Sequence, residues 1–259
     1  MVCITASFSG SRDFTLEKYR ELCQVLLDQY TITTVRDYLS EKPSGNTAIL
    51  RHDVDRKIMN ALRIADLEHG IGICSTYYFR YPHTFNPEIL RKILGFGHEI
   101  GYHYEVLSKT KGDYPKAIAL FEQEFGEFRK ICPVDTICMH GRPLSPLDNR
   151  DLWKQYNFRT FGLKGEAFLS MSGVEYFTDT GRSWNGKNNL SDFVGAGRPL
   201  EQPETTDDLI NLIREKQFPN LYLTTHPERW SHSIGSHFVN YGTDIIFNIS
   251  KKIIRKVRQ

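Results

Sequence analysis

The chain has 259 residues, of which 40% are hydrophobic and 25% are charged, a balance that supports a sizeable core and excludes an intrinsically disordered protein. Its net charge of +2 gives no reason to expect a nucleic acid partner. The N-terminus lacks a basic segment followed by an apolar one, and no apolar run approaches the roughly 20 residues that cross a bilayer. We therefore expect a cytoplasmic protein without a membrane span; the sequence does not indicate its oligomeric state.

The five cysteines fit the same compartment. Their number is odd, no CxxC pair occurs, and Cys74 and Cys138 lie in apolar, strand-like runs. Buried free thiols in a reducing compartment are the simplest interpretation.

Secondary-structure signals alternate along most of the chain. Residues 1–45 are predicted as an N-terminal helical extension, with a helix at 14–30 and then an irregular stretch. Strands are predicted at 47–50, 74–79, 98–103, 135–139 and 221–225, with helices between them and a final helix from about 244 to the end. This alternation implies one domain over 1–259 with a parallel sheet, open or closed into a barrel. Residues 141–205, rich in Gly, Pro and polar residues, are expected to form long active-site loops.

Ionisable residues follow the carboxyl ends of four predicted strands, the edge where parallel sheets assemble active sites. They are Asp53 and Asp55, His103, His140, and His226. Asp53 and Asp55 point to the same side of an extended chain, where a bound cation would relieve their repulsion. An Asp with several His suits a catalytic zinc site, and a second carboxylate outside it could act as a general base. In the alternative, one Asp caps the next helix and the other pairs with a neighbouring Arg.

Further polar residues lie near these strand ends. Glu105 shares a strand side with His103, and Arg80 ends the second strand, from where it could hold Asp53 ionised. His52 and His98 have the opposite strand parity and are interpreted as structural.

One loop segment has the composition of a sugar-binding site. Residues 176–184 combine Asp179, Arg182 and Trp184, and an indole face stacks on a pyranose while charged groups hold its hydroxyls. The alternative is that Trp184 is an exposed loop residue that packs on the barrel.

Three segments resemble motifs of the polysaccharide deacetylase (NodB-like) family of carbohydrate esterases. They are residues 51–55 (RHDVD), 97–103 (GHEIGYH) and 224–226 (TTH). The resemblance spans about residues 46–230 and implies an α/β fold, a distorted (β/α)7 barrel that removes acetyl groups from glycans with zinc or a similar divalent cation. It implies that Asp53 is the general base, that Asp55 and His103 bind the metal, and that His226 is the general acid. Arg142 stands where the family often has an Arg-Pro motif that helps hold the base.

One position departs from the family pattern. The family has a second histidine four residues after the first, and here that residue is Leu107, which cannot bind a metal. Glu105 and His140 are the two candidate replacements. We favour His140 because imidazole replaces imidazole with less change in the charge of the site.

These observations predict a metal-dependent hydrolase that removes an acetyl group from an N-acetylated sugar or glycan precursor, with a divalent metal that we expect to be zinc. Two alternatives stay open. One is another C–N amide hydrolase on the same barrel, and the other is a catalytically degenerate protein that only binds glycans.

Overall fold

The computed structural model describes residues 12–41, 45–141, 145–186, 194, 203–215, 218–232 and 235. Arg142 and the helix predicted from about 244 lie outside the described residues. The strands are β1 (Thr31–Thr33), β2 (Thr47–Val54), β3 (Thr76–Phe79), β4 (Glu99–Tyr104), β5 (Thr136–Met139), β6 (Gly165–Glu166), β7 (Glu175–Thr178) and β8 (Asn220–Thr225). The helices are α1 (Leu16–Gln29), α2 (Val35–Ser40), α3 (Ile58–Gly70), α4 (Pro87–Gly95), α5 (Val106–Lys109), α6 (Tyr114–Arg129), α7 (Leu152–Gln155) and α8 (Thr206–Glu215).

Within these ranges the strands form one parallel sheet. Its order is β6-β5-β4-β3-β2-β8-β7, with β1 pairing on β2 beside this path. All recorded pairings are parallel, so the carboxyl ends of the strands meet at one edge. The predicted α/β fold with a parallel sheet is confirmed.

The sheet curls strongly enough for its two ends to approach each other. The hydroxyl of Tyr222 in β8 donates to the carbonyl of Ala167, just after β6, at 3.1 Å. The guanidinium of Arg51 in β2 lies 4.2 Å from the ring centroid of Phe168. No pairing of β6 with β7 is recorded among the described residues, so the architecture is a curled half-barrel rather than a closed barrel.

The central strand β2 separates two polar interiors. All eight of its residues are buried, as expected for a parallel strand that is covered on both faces. Arg51 and Asp53 point to the concave face, and His52 points to the outer face, where it contacts Glu68 of α3. Helix α1, capped by the Thr15 side chain, packs there as well. Strand parity therefore decides which polar residues reach the concave site.

Three segments differ from the sequence prediction. The irregular stretch after the first helix contains β1 and α2, because Thr31–Thr33 pairs in register with β2. Strands β6 and β7 lie inside the predicted loop region 141–205. Cys74 is exposed, not buried, and it lies before the start of β3 at Thr76. The free cysteines Cys23, Cys132 and Cys138 are buried.

None of the described helices has both the length and the apolar character that a bilayer crossing needs.

Candidate metal centre

Three side chains from three strand ends converge at the carboxyl edge of the sheet. Asp55 follows β2, His103 lies in β4, and His140 follows β5. Asp55 Oδ1 is 3.4 Å from Nε2 of His103 and 3.4 Å from Nε2 of His140. Tetrahedral zinc with bonds of about 2.0–2.1 Å places its ligand atoms roughly 3.3 Å apart. The spacing therefore matches one shared cation.

Hydrogen bonds behind the two histidines turn their free nitrogens towards Asp55. Nδ1 of His103 is 3.1 Å from the carbonyl oxygen of Cys138, and Nδ1 of His140 is 3.1 Å from Oε2 of Glu105. Both acceptors fix a tautomer with the proton on Nδ1, which leaves Nε2 as a metal ligand. Glu105 is itself held by Arg80 at 2.7 Å. Of the two candidate replacements for the missing histidine, His140 thus faces the centre, whereas Glu105 supports it from behind.

The electrostatics of this group also fit a cation. Asp55 Oδ1 is buried without a hydrogen-bond partner among the described residues. Burial raises the pKa of Asp55, but the neighbouring His140 and His103 outweigh burial and hold that pKa well below its usual range. Burial lowers the pKa of His140, whereas Asp55 and Glu105 raise it to about 9. A cation that binds here must displace the proton of His140, and it would bind Asp55 Oδ1, which has no hydrogen bond among the described residues.

A second set of possible ligands, Asp53, His103 and Cys138, already contains a cation. The guanidinium of Arg51 is fully buried. Its Nη2 lies 2.6 Å from Oδ2 of Asp53 and 2.7 Å from Sγ of Cys138. A metal ion in this set would have to sit next to a fixed positive charge, so the Asp55 group fits a metal better.

Asp53 is bound by Arg51 and not by Arg80. Both Asp53 oxygens accept hydrogen bonds from Arg51, at 2.8 and 2.6 Å. Burial raises the pKa of Asp53, but the charge of Arg51 and then of His103 lowers it below its usual value. The expectation that Arg80 holds Asp53 ionised is wrong, because Arg80 instead donates to Glu105 and to the carbonyl of Asp55. One part of the alternative interpretation, an Asp paired with a neighbouring Arg, does occur here.

His226 is held from behind by Asp179. The Nδ1 of His226 lies 2.6 Å from Asp179 Oδ1, and its backbone N–H donates to Oδ2 at 2.9 Å. Arg229 and Trp230 also donate to this fully buried carboxylate. Burial raises the pKa of Asp179, but Arg229 and His226 lower it to about 2. Asp179 is thus ionised and orients the imidazole, a different role from the sugar contact that its loop composition suggested.

The other two loop residues do not form a sugar platform. Trp184 is 1% exposed, and its indole N–H donates to Thr206 Oγ1 of α8 at 3.1 Å. Arg182 donates to the carbonyl of Arg229 at 2.8 Å. Trp184 therefore packs into the core, and the alternative interpretation was wrong in expecting it to be exposed. Arg182 bonds to the turn after His226.

Sequence reasoning missed two residues at this edge. Arg51 shares strand parity with Asp53, so the two-residue period could have identified their pairing. Glu228 follows His226 by two residues, and burial and then the charge of Asp55 raise its pKa to about 7. Only its position next to His226 could have drawn attention to it.

Comparisons with known proteins give structural neighbours only. No family model matches the chain, and no curated protein matches it. A mutant of BA3943, described as a CE4 family pseudoenzyme with restored enzymatic activity, is 13% identical with a TM-score of 0.41, over 81% of this chain and 65% of that chain. Wild-type BA3943 from Bacillus anthracis is 12% identical with a TM-score of 0.40, over 81% and 62% of the two chains.

A third neighbour is the peptidoglycan deacetylase PdaC from Bacillus subtilis. It is 14% identical with a TM-score of 0.40, over 82% of this chain and 99% of that chain. The present chain thus spans just under two thirds of the BA3943 structures and nearly all of the PdaC structure. The structural neighbours of this chain are CE4 family deacetylase-type proteins at low sequence identity.

Proposed function

We propose that the chain is a metal-dependent deacetylase that hydrolyses the acetamide group of an N-acetylated sugar. The observation that carries the proposal is the 3.4 Å spacing of Asp55 Oδ1 from both imidazole Nε2 atoms, of His103 and His140. A general base, Asp53, and a carboxylate-paired imidazole, His226, lie at the same edge of the sheet.

Asp55, His103 and His140 would hold a divalent cation, which would polarise the acetamide carbonyl and lower the pKa of a water molecule when bound. Asp53, kept ionised by Arg51, accepts a proton from the attacking water. Its oxygens offer about four lone-pair sites, so its two bonds to Arg51 leave capacity for that proton. Arg51 also keeps the carboxylate in one orientation.

His226 completes the reaction at the leaving nitrogen. Water adds to the acyl carbon, the C–N bond breaks, and Nε2 of His226 donates the proton that the departing amine needs, giving acetate and the free amino sugar. Burial and the charge of Arg229 lower the pKa of His226, but Asp179 and then Asp55 raise it above its ordinary value. This shift favours the protonated imidazole that a general acid needs.

The proposal is tested by metal analysis and an amine-release assay on the full chain. We expect about one divalent ion per chain and release of a free amine from N-acetylated sugars, with both lost in Asp55→Ala. A metal-free chain that binds sugars equally well with and without this substitution would show a glycan-binding protein instead. Metal-dependent cleavage of cyclic amides or formyl groups, without cleavage of acetamido sugars, would favour another C–N hydrolase.

A further inference from the structure

Glu228 is a buried carboxylate that the mechanism above does not use. It lies in the 3-10 turn Pro227–Arg229 and is 4% exposed. Its Oε1 is 3.5 Å from Nη2 of Arg56. Its Oε2 is buried and has no hydrogen-bond partner among the described residues. Burying a carboxylate oxygen without a donor is costly, so the arrangement fits a ligand that brings the donor.

The turn holds Glu228 two residues after the general acid His226. Arg56, which contacts Glu228, directly follows the metal ligand Asp55 in the chain. The turn is anchored from α3, where Asn60 donates to the carbonyl of Pro227 at 3.2 Å. Glu228 is therefore held by Arg56 and by the anchored turn, two residues from the group that would protonate the leaving nitrogen.

We propose that Glu228 is a specificity-determining residue that accepts a hydrogen bond from a substrate hydroxyl next to the acetamido group. This inference rests on the proposed function, because it uses the leaving nitrogen at His226 as the reference point. In an N-acetylated sugar, the carbons flanking the acetamido carbon carry oxygen substituents, and a hydroxyl there supplies the donor that Oε2 lacks.

A cycle of two proteins and two substrates tests this role. The metal-loaded full chain and Glu228→Ala are compared on a methyl glycoside of N-acetylglucosamine and on its analogue without the C3 hydroxyl. We expect the wild type to prefer the hydroxyl substrate by about 10- to 100-fold in kcat/KM. Glu228→Ala should lose that preference and change kcat/KM for the deoxy analogue by less than about threefold. Glu228→Gln, which keeps an acceptor oxygen, should recover part of the preference.

Equal losses on both substrates would mean that Glu228 only supports the fold, and a wild type without any preference would also overturn the proposal. Calorimetric binding of the same two compounds separates this result from failure of the proposed function. If the metal-loaded chain hydrolyses neither compound but binds the hydroxyl compound more tightly, and Glu228→Ala removes that difference, the deacetylase proposal fails while the role of Glu228 stands. If the metal-loaded chain hydrolyses neither compound and binds the two equally well, both the deacetylase proposal and the role of Glu228 are overturned.

Discussion

Each face of β2 has a carboxylate with a buried oxygen among histidines, but the hydrogen bonding of that oxygen differs between the faces. On the outer face, Glu68 accepts from Tyr19 and His52 at Oε1, and from Ser75 and Tyr77 at Oε2. On the concave face, Asp55 Oδ1 lies between two imidazole nitrogens without a hydrogen bond among the described residues. A buried acceptor with all its donors present stabilises the fold, whereas one without a donor indicates a bound group.

The histidines of the two faces differ in the same way. Both ring nitrogens of His52 have partners, Thr225 Oγ1 at 2.7 Å and Glu68 Oε1 at 2.9 Å. His98 accepts from the Ser75 N–H and donates to the carbonyl of Ala65, and burial lowers its pKa. In His103 and His140, Nδ1 is hydrogen-bonded, whereas Nε2 faces Asp55. The number of buried histidines is therefore a poor indicator of a metal site. A better indicator is a histidine ring nitrogen that has no hydrogen bond among the described residues.

The largest expected difference between the faces is in metal binding. His103→Gln should abolish stoichiometric metal and lower kcat/KM by more than about 100-fold, because a ligand is removed. The control is His98→Gln, which removes a buried imidazole just before the same strand and should keep the metal and the activity. Metal content by mass spectrometry and amine release measure both effects. Equal metal loss in the two variants would contradict the assignment of metal binding to the concave face.

Stability should depend most on the outer face. Burial raises the pKa of Glu68, but His52 and further hydrogen bonds lower it from 4.5 to about 2. Its stabilisation is present above the unfolded pKa and is lost as the pH falls through the folded pKa, and it amounts to about 3 kcal/mol at neutral pH. Glu68→Gln should lower the free energy of unfolding by about this amount in urea titrations at pH 7, and the deficit should shrink below pH 4.5. Exposed Glu122→Gln, the matched control, should change stability by less than about 0.5 kcal/mol.

Asp179 should control both the rate and its pH dependence. Asp179→Asn should lower kcat/KM by about 100-fold, because His226 loses its orienting carboxylate. Asp179 raises the pKa of His226, so the alkaline limb of the pH–rate profile should move to lower pH in the variant, where the acid form is lost earlier. Asp207→Asn, which changes an exposed partner of Lys18, should leave the profile unchanged. An unshifted limb would separate Asp179 from proton donation.

The smallest effect is expected behind the metal ligands. Glu105→Gln should weaken metal affinity by about tenfold, because His140 loses a charged acceptor at Nδ1, while kcat at saturating metal should change little. Glu124→Gln, which changes a buried carboxylate bonded to Lys109, is the control. Metal affinity from competition with a chelator distinguishes them. A larger loss of affinity in the control would show a general effect of buried charge.

The concave site could be predicted largely from strand parity and strand ends. Asp53, Asp55 and His103 follow the two-residue period, and His140 directly follows its strand. Contacts between distant segments could not be predicted in this way. The burial of Trp184 depends on Thr206 of another helix.

The shortest elements were missed for a related reason. Strands β1 and β6 have three and two residues, and their extended state depends on pairing with β2 and β5. Local propensity carries little information over so few residues.

The distribution of the three ligands over β2, β4 and β5 has a mechanical consequence. Strand β3 lies between β2 and β4 in the sheet and contributes no ligand to this group. An ion bound to the three ligands would therefore link β2 to β4 and β5 across β3. Because such an ion binds the folded form, the unfolding temperature should rise with metal concentration. Metal bound to the same three side chains would then stabilise the curled sheet, and a chelator would remove that stabilisation.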